Sequence, residues 1–147
     1  MLVVCAANAH ANTFESLEST PEAELHELLP NNTKEVQARI HMMLGRFTLD
    51  RDMDAALQHF TLAEELLVDS DLAGHSYLNV QRCLIELLQS RLAAAEEYCQ
   101  TSINLAQDSG DNWALAKAYG AHATIEYQRG NLDEAVRAGR LATRYAE

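Results

Sequence analysis

Proline and glycine are scarce in this chain of 147 residues, which contains two prolines and six glycines. Both prolines, Pro21 and Pro30, precede residue 31, so none interrupts the remainder of the chain. Alanine and leucine, which favour helices, are abundant in that remainder. The sequence also lacks the sustained alternation of apolar and polar residues that marks a strand. These features predict an all-α protein.

Basic residues are also few, since 11 lysines and arginines stand against 22 aspartates and glutamates and the net charge is −11. A chain of this charge repels the phosphates of nucleic acids, so we expect no nucleic-acid partner. A transmembrane helix needs a run of about 20 apolar residues, and the sequence has no such run. We therefore expect no membrane insertion within this chain.

The motifs that mark enzymes and cofactor sites are missing. There is no glycine-rich phosphate loop, nucleophile elbow or HExxH motif, and the three cysteines form no CxxC pair. His122 and Glu126 have the spacing of two ligands on one helix face, but a third ligand at suitable spacing is lacking. His41 and His59 are isolated in the sequence and are interpreted as surface or boundary residues. We expect no catalytic site, no cofactor and no metal site.

Residues 1–12 form a leader whose composition differs from that of the rest. A short apolar run over residues 2–7 is followed by Ala9-His10-Ala11, which resembles a signal-peptidase cleavage site. The basic start of a signal peptide is missing. We interpret the leader as the remnant of a signal peptide, which predicts a periplasmic or otherwise exported protein. A cytoplasmic protein with an apolar leader is the alternative.

A pattern of apolar and small residues recurs with a period of about 40 residues. In the first helix of each repeat, the positions fall at i, i+3, i+4 and i+7, which is one face of a helix. They are Ile40, Met43, Leu44 and Phe47, then Val80, Cys83, Leu84 and Leu87, then Gly120, Ala123, Thr124 and Tyr127. The pattern predicts three helical hairpins at roughly 34–69, 71–108 and 111–146, with a short helix near 21–29.

The second helix of each repeat has a small residue at one recurring position, namely Ala56, Ala95 and Ala135. A small side chain there lets two antiparallel helices approach closely. The last of these helices begins with Asn131 followed by Glu134, the spacing of a capping box.

The segment from Tyr127 to Ala135, with sequence YQRGNLDEA, resembles the centre of a tetratricopeptide (TPR) motif in its small-residue and turn positions. The resemblance extends over residues 34–147. The period is longer than the 34 residues usual for this family, as in the long bacterial variant, and Ser90 replaces the turn glycine of the second repeat. The resemblance implies a right-handed solenoid of three antiparallel helix pairs after a short N-terminal helix, in a single domain over residues 13–147.

The same resemblance implies a protein–protein interaction scaffold, used as a sensory or partner-binding module of a bacterial signalling or envelope protein. TPR proteins bind partners in a concave groove lined by their first helices. Carried over to this sequence, that groove contains Leu78, Gln81, Ile85, Leu88, Ala118, Ala121, Ile125 and Gln128. Its apolar character favours an amphipathic helix as partner. A small-molecule-binding regulatory domain that uses the same groove is one alternative, and simple packing of these residues on neighbouring helices is another.

Cys83 and Cys99 lie on facing sides of one predicted hairpin, seven residues before and nine after Ser90. In an oxidising compartment they could form a disulfide. The alternative is a pair of small buried side chains, the usual state of free cysteine.

The second helix of the last predicted hairpin, over residues 131–146, has an apolar face that no following helix covers in this sequence. Its members are Leu132, Ala135, Val136, Leu141 and Ala142. Because burial of apolar surface is favourable, we expect a homodimer through the last repeat. Head-to-tail contact between the arginines of this helix and the acidic N-terminal segment is the alternative.

Overall fold

A computed structural model describes residues 13–147, so the leader expected over residues 1–12 lies outside the described residues. Within residues 13–147 the chain forms α-helices and one short 3-10 turn, without a strand, which confirms the all-α prediction. The elements are α1 (Thr13–Glu18), α2 (Glu22–Leu28), the 3-10 turn (Leu29–Asn31), α3 (Lys34–Thr48), α4 (Met53–Leu66), α5 (Leu72–Leu88), α6 (Leu92–Ser109), α7 (Asn112–Arg129) and α8 (Leu132–Ala146).

The three predicted hairpins are confirmed as α3–α4, α5–α6 and α7–α8, and the helices of each pair pack against each other. The short helix predicted near residues 21–29 corresponds to α2. The sequence pattern did not predict α1, because its six residues are too few to display a helical period.

Side chains satisfy the free backbone N–H groups where three of the helices begin. Thr33 Oγ1 accepts a hydrogen bond from the backbone N of Val36 at 3.3 Å, where α3 begins. At the start of α4, the Asp52 carboxylate accepts from the backbone N of Ala55 at 3.1 Å. The Asp111 carboxylate performs the same role at the start of α7.

The chain separates into two compact units, with the boundary between Asp71 and Leu72. In the first unit, α1 and α2 both pack on α3, which is paired with α4. Its fully buried side chains include Leu17, Leu25, Ile40, Met42 and Leu44.

The buried guanidinium of Arg39 connects distant parts of the first unit. Its Nη2 donates to Asp71 Oδ1 at 2.9 Å, in the loop that follows α4. Its Nη1 donates to Glu35 on α3, and the group lies 4.7 Å from the centre of the Phe14 ring on α1. Arg39 therefore holds α1 and the end of the unit against α3.

In the second unit, α7 packs against both α5 and α6, and α8 packs on α7. The second and third hairpins are therefore stacked in sequence order. Ser76 Oγ of α5 donates to the carbonyl oxygen of Ser102 in α6 at 2.8 Å, so this contact between helices includes a buried hydrogen bond. The right-handed solenoid of three helix pairs and the single domain over residues 13–147 stay predictions.

Candidate functional site

Six of the eight predicted groove residues are buried in the second unit. They are Leu78, Gln81 and Ile85 of α5 and Ala118, Ala121 and Ile125 of α7. The other two, Leu88 and Gln128, are exposed and occupy the last turns of α5 and α7. Because a partner reaches only side chains that are open to solvent, these two are the predicted groove residues available to it in this structure. The binding role of all eight stays a prediction.

The exposed pair lies at one end of the second unit. Short turns join α5 to α6 and α6 to α7, and the three helices pack against one another, which indicates that α5 and α7 run in the same direction and end on the same side. Four large apolar side chains are exposed there, in the last turns of α5 and α7 and the first turns of α8. They are Leu88 (60% exposed), Tyr127 (68%), Leu132 (58%) and Val136 (51%). We call these four residues the turn-end patch.

A network of charged side chains holds the turn between α7 and α8 beside this patch. Glu126 is buried, and it accepts hydrogen bonds from Asn131 Nδ2 at 2.7 Å and Arg129 Nη1 at 3.1 Å. Arg129 also donates to both carboxylate oxygens of Glu96 on α6. The network therefore joins α6, α7 and the turn before α8, next to Tyr127 and Leu132 in the sequence.

The hydrogen bond from Asn131, followed by those from Arg129, holds the pKa of Glu126 below its usual range. The carboxylates of Glu96 and Glu126 raise the pKa of Arg129 in turn. All three groups are therefore charged at neutral pH.

The capping box predicted at the start of α8 is not formed. The Asn131 side chain makes no cap hydrogen bond to α8 and donates to Glu126 instead. Glu134, the second member of the predicted box, pairs with Arg137 at 2.8 Å. A buried carboxylate competes better for the Asn131 amide than an exposed backbone group does, because a charged acceptor makes the stronger hydrogen bond.

Cys83 and Cys99 face each other across the α5–α6 hairpin, as the sequence predicted, and both are buried free thiols in the structure. Their side chains are hydrogen-bonded to one another, and Cys99 Sγ lies 3.8 Å from the carbonyl oxygen of Ala118. The hydrogen bond with Cys83, followed by burial, raises the pKa of Cys99, whereas the bond from Cys99 lowers the pKa of Cys83. A thiolate would therefore form first at Cys83.

His122 does not pair with Glu126 as a ligand pair would. Its Nε2 lies 3.6 Å from Glu134 Oε1 on α8 instead. In the part of the chain that the structure describes, no three histidines, cysteines or carboxylates are placed to hold a metal ion.

His41 and His59, interpreted from the sequence as isolated, are in direct contact, and this corrects that interpretation. Their Nδ1 atoms are 3.1 Å apart. The sequence spacing could have predicted this contact, because His41 and His59 each lie nine residues from Asp50, at the centre of the α3–α4 turn. In an antiparallel hairpin, residues at equal distances from the turn lie opposite each other.

No protein-family model matches the chain, and neither a curated protein nor a solved structure matches it. The TPR resemblance therefore stays a prediction from the residues. None of the helices within residues 13–147 has both the length and the apolar character needed to cross a bilayer.

Proposed function

We propose that this protein is a protein–protein interaction scaffold that binds an amphipathic helix of its partner through the turn-end patch. The observation that carries the proposal is the exposure of Leu88, Tyr127, Leu132 and Val136 at one end of the second unit. Single exposed apolar residues are ordinary on protein surfaces, but four large ones at one end of a unit favour an interaction site there.

The surroundings of the patch match the composition of an interface. Tyrosine is enriched among residues that contribute most to binding, and Tyr127 is the most exposed member of the patch. The ion pair Arg129–Glu96 joins α7 to α6, the ion pair Arg137–Glu134 lies on α8, and both offer polar groups for the rim of such an interface. An amphipathic helix offers an apolar stripe for the patch and polar flanks for the rim, so its chemistry is complementary to both.

On this proposal the protein has no catalytic role. The proposal includes the role that the TPR resemblance implies, namely a sensory or partner-binding module of a bacterial signalling or envelope protein. We also propose that the protein is exported to the periplasm, with a cytoplasmic location as the alternative. The A-x-A pattern of residues 9–11 supports export.

Selection from a displayed library of helical peptides tests the proposal. We expect the selected peptides to be amphipathic and to lose at least about tenfold in affinity when Leu88→Glu or Tyr127→Glu is introduced, because a charge is then desolvated in an apolar contact. Leu57→Glu, at an exposed leucine of α4 in the first unit, is the matched control and should bind unchanged. Selected peptides without an apolar stripe, or equal binding by the patch variants, would exclude this site.

A second candidate function, a small-molecule-binding regulatory domain, is favoured by one buried group. Gln81 is 1% exposed, and its Oε1 atom has no hydrogen-bond partner. An unsatisfied buried acceptor is costly, and a ligand donor would relieve the cost if the helices around Gln81 part to admit it, because this side chain is closed to solvent in the structure. A compound that raises the melting temperature of the native protein but not that of Gln81→Leu would support this candidate.

A further inference from the structure

Three histidines of the first unit lie together, one from each of α2, α3 and α4. The His41 and His59 rings have their centres 5.3 Å apart, with the two Nδ1 atoms at 3.1 Å. The centre of the His26 ring lies 6.4 Å from that of His59. His41 and His59 are half-buried and His26 is exposed. We call these three residues the histidine cluster.

The contact between His41 and His59 permits only some protonation states. At 3.1 Å the two nitrogens share a hydrogen bond in which one ring donates through N–H and the other accepts through a lone pair. A doubly protonated imidazole has no lone pair, so two protonated rings cannot make this bond. They would instead place two positive charges against each other.

The charges around the pair add to this effect. Burial, followed by the charges of His59 and His26, lowers the pKa of His41 below the usual 6.5. Burial lowers the pKa of His59 most, and the charge of His26 lowers it further. The negative charge of Glu22 on α2 raises the same pKa and partly offsets these two effects. Glu22 also forms an ion pair with Arg51 of the α3–α4 turn, at 2.9 and 3.0 Å, which reduces its effect on the histidines.

The sign of the pH dependence follows from these directions. Because both folded pKa values lie below 6.5, the unfolded unit binds more protons as the pH falls through that range. The stabilising contribution of the neutral pair is therefore complete above about pH 6.5 and is lost as the pH falls toward the folded pKa values.

One of the contacts that hold α2 in place belongs to this cluster. This helix has only seven residues, and isolated helices of that length are unstable in water. It is held by the buried Leu25, by the Glu22–Arg51 ion pair and by the contact of His26 with His59. A repulsion among the three histidines acts on the last of these contacts.

We propose that the histidine cluster makes the packing of α2 on α3 and α4 sensitive to acid, so that protonation of His41 and His59 releases α2 from the first unit. The cluster serves as a pH-sensitive switch in this part of the chain. The proposal does not depend on the turn-end patch, which belongs to the other unit.

Two measurements on the full chain test it. Proton NMR titration of the wild-type histidines should give values below 6.5 for His41 and His59. Hydrogen–deuterium exchange, compared at about pH 7.5 and about pH 5.5, should show a selective loss of protection in α2 at the lower pH. The protection factor of α2 should fall about tenfold for each pKa unit of the combined decrease, which is the sum of the amounts by which the pKa values of His41 and His59 lie below 6.5. This holds once both histidines are protonated at the lower pH.

The variant His41→Gln/His59→Gln keeps side chains that can hydrogen-bond but removes the charge change, so it should lose most of this pH dependence. His75→Gln, at a histidine of α5 outside the cluster, is the matched control and should behave like the wild type. Unchanged protection of α2 in acid, or a double variant with the wild-type pH dependence, would overturn the proposal. If the double variant does not fold, titration of His41 and His59 at or above 6.5 in the wild type would overturn it.

Discussion

At the scale of single residues, Gly45 determines how closely α3 approaches α4. A Cβ atom at this position would lie 2.6 Å from a carbon of the Phe60 ring, which is closer than real atoms approach. Phe60 is buried and has little room to move away. The glycine is therefore required by its neighbour and not by its own backbone.

We expect Gly45→Ala to destabilise the protein by about 1–3 kcal/mol, because overpacking outweighs the higher helix propensity of alanine. Gly120→Ala is the matched control, since Gly120 lies within α7 with open space around the position of a Cβ atom. That substitution should stabilise by about 0.5–1 kcal/mol. Urea denaturation measures the change in the free energy of unfolding for both variants. If Gly45→Ala stabilises the protein, the Phe60 ring moves aside at little cost.

Ser90 in the α5–α6 turn has a left-handed backbone, with φ of 59°, as Gly130 has in the α7–α8 turn. Residues with a side chain pay about 1 kcal/mol or more in this conformation, whereas glycine does not. We therefore expect Ser90→Gly to raise the free energy of unfolding by about 0.5–1 kcal/mol and Gly130→Ala to lower it by a similar amount. A thermal or urea midpoint that does not rise for Ser90→Gly would show that the Ser90 side chain makes a compensating contribution.

At the scale of helices, the α5–α6 hairpin depends on the small side chain of Ala95, which is 0% exposed. We expect Ala95→Leu to destabilise by about 1–3 kcal/mol, because the larger side chain forces the two helices apart. Ala135 occupies the equivalent place in α8 but is only half-buried, and Ala138 is the buried residue of that helix. Ala135→Leu should therefore cost less, and chemical denaturation of the two variants side by side makes the comparison. Equal effects would mean that both positions are equally packed.

At the scale of the whole molecule, the exposed residues Leu132 and Val136 lead us to expect that two copies of the chain pair through α8 when no partner helix occupies the turn-end patch. Burying this face in a second copy recovers about 25 cal/mol for each Å² removed from water. Light scattering at micromolar concentrations should report twice the mass of one chain, in low and in high salt alike, because salt does not weaken apolar contacts.

The variant Leu132→Glu/Val136→Glu should be monomeric in the same measurement. Leu62→Glu, at an exposed leucine of α4, should remain dimeric and serves as the control. A mass that falls as salt is added would favour the head-to-tail contact through the arginines of α8 instead. A wild-type monomer across the micromolar range would exclude both assemblies.

The helices α2 to α8 could be predicted from the residues, because the causes of a helix are local. Apolar spacing of 3.6 residues, capping side chains such as Asp52 and Asp111, and glycines in left-handed turns all act within a few residues along the chain. For the same reason the three hairpins and their turns could be predicted closely. The facing positions of Cys83 and Cys99 followed from the hairpin as well, because residues on either side of a turn lie opposite each other.

Which faces of those helices are covered depends on how the helices pack, and no spacing in the sequence predicted it. Leu78 and Leu88 belong to the same predicted stripe, yet Leu78 is buried and Leu88 is exposed, because burial depends on which neighbouring helices reach each turn. The ring contact of His26 with His59 likewise requires the path of the chain between α2 and α3, which no spacing in the sequence specifies. The charge network of Glu126, Arg129 and Glu96 depends on the packing of α6 against α7. Contacts between elements arise from packing at long sequence separation, where a local pattern carries no information.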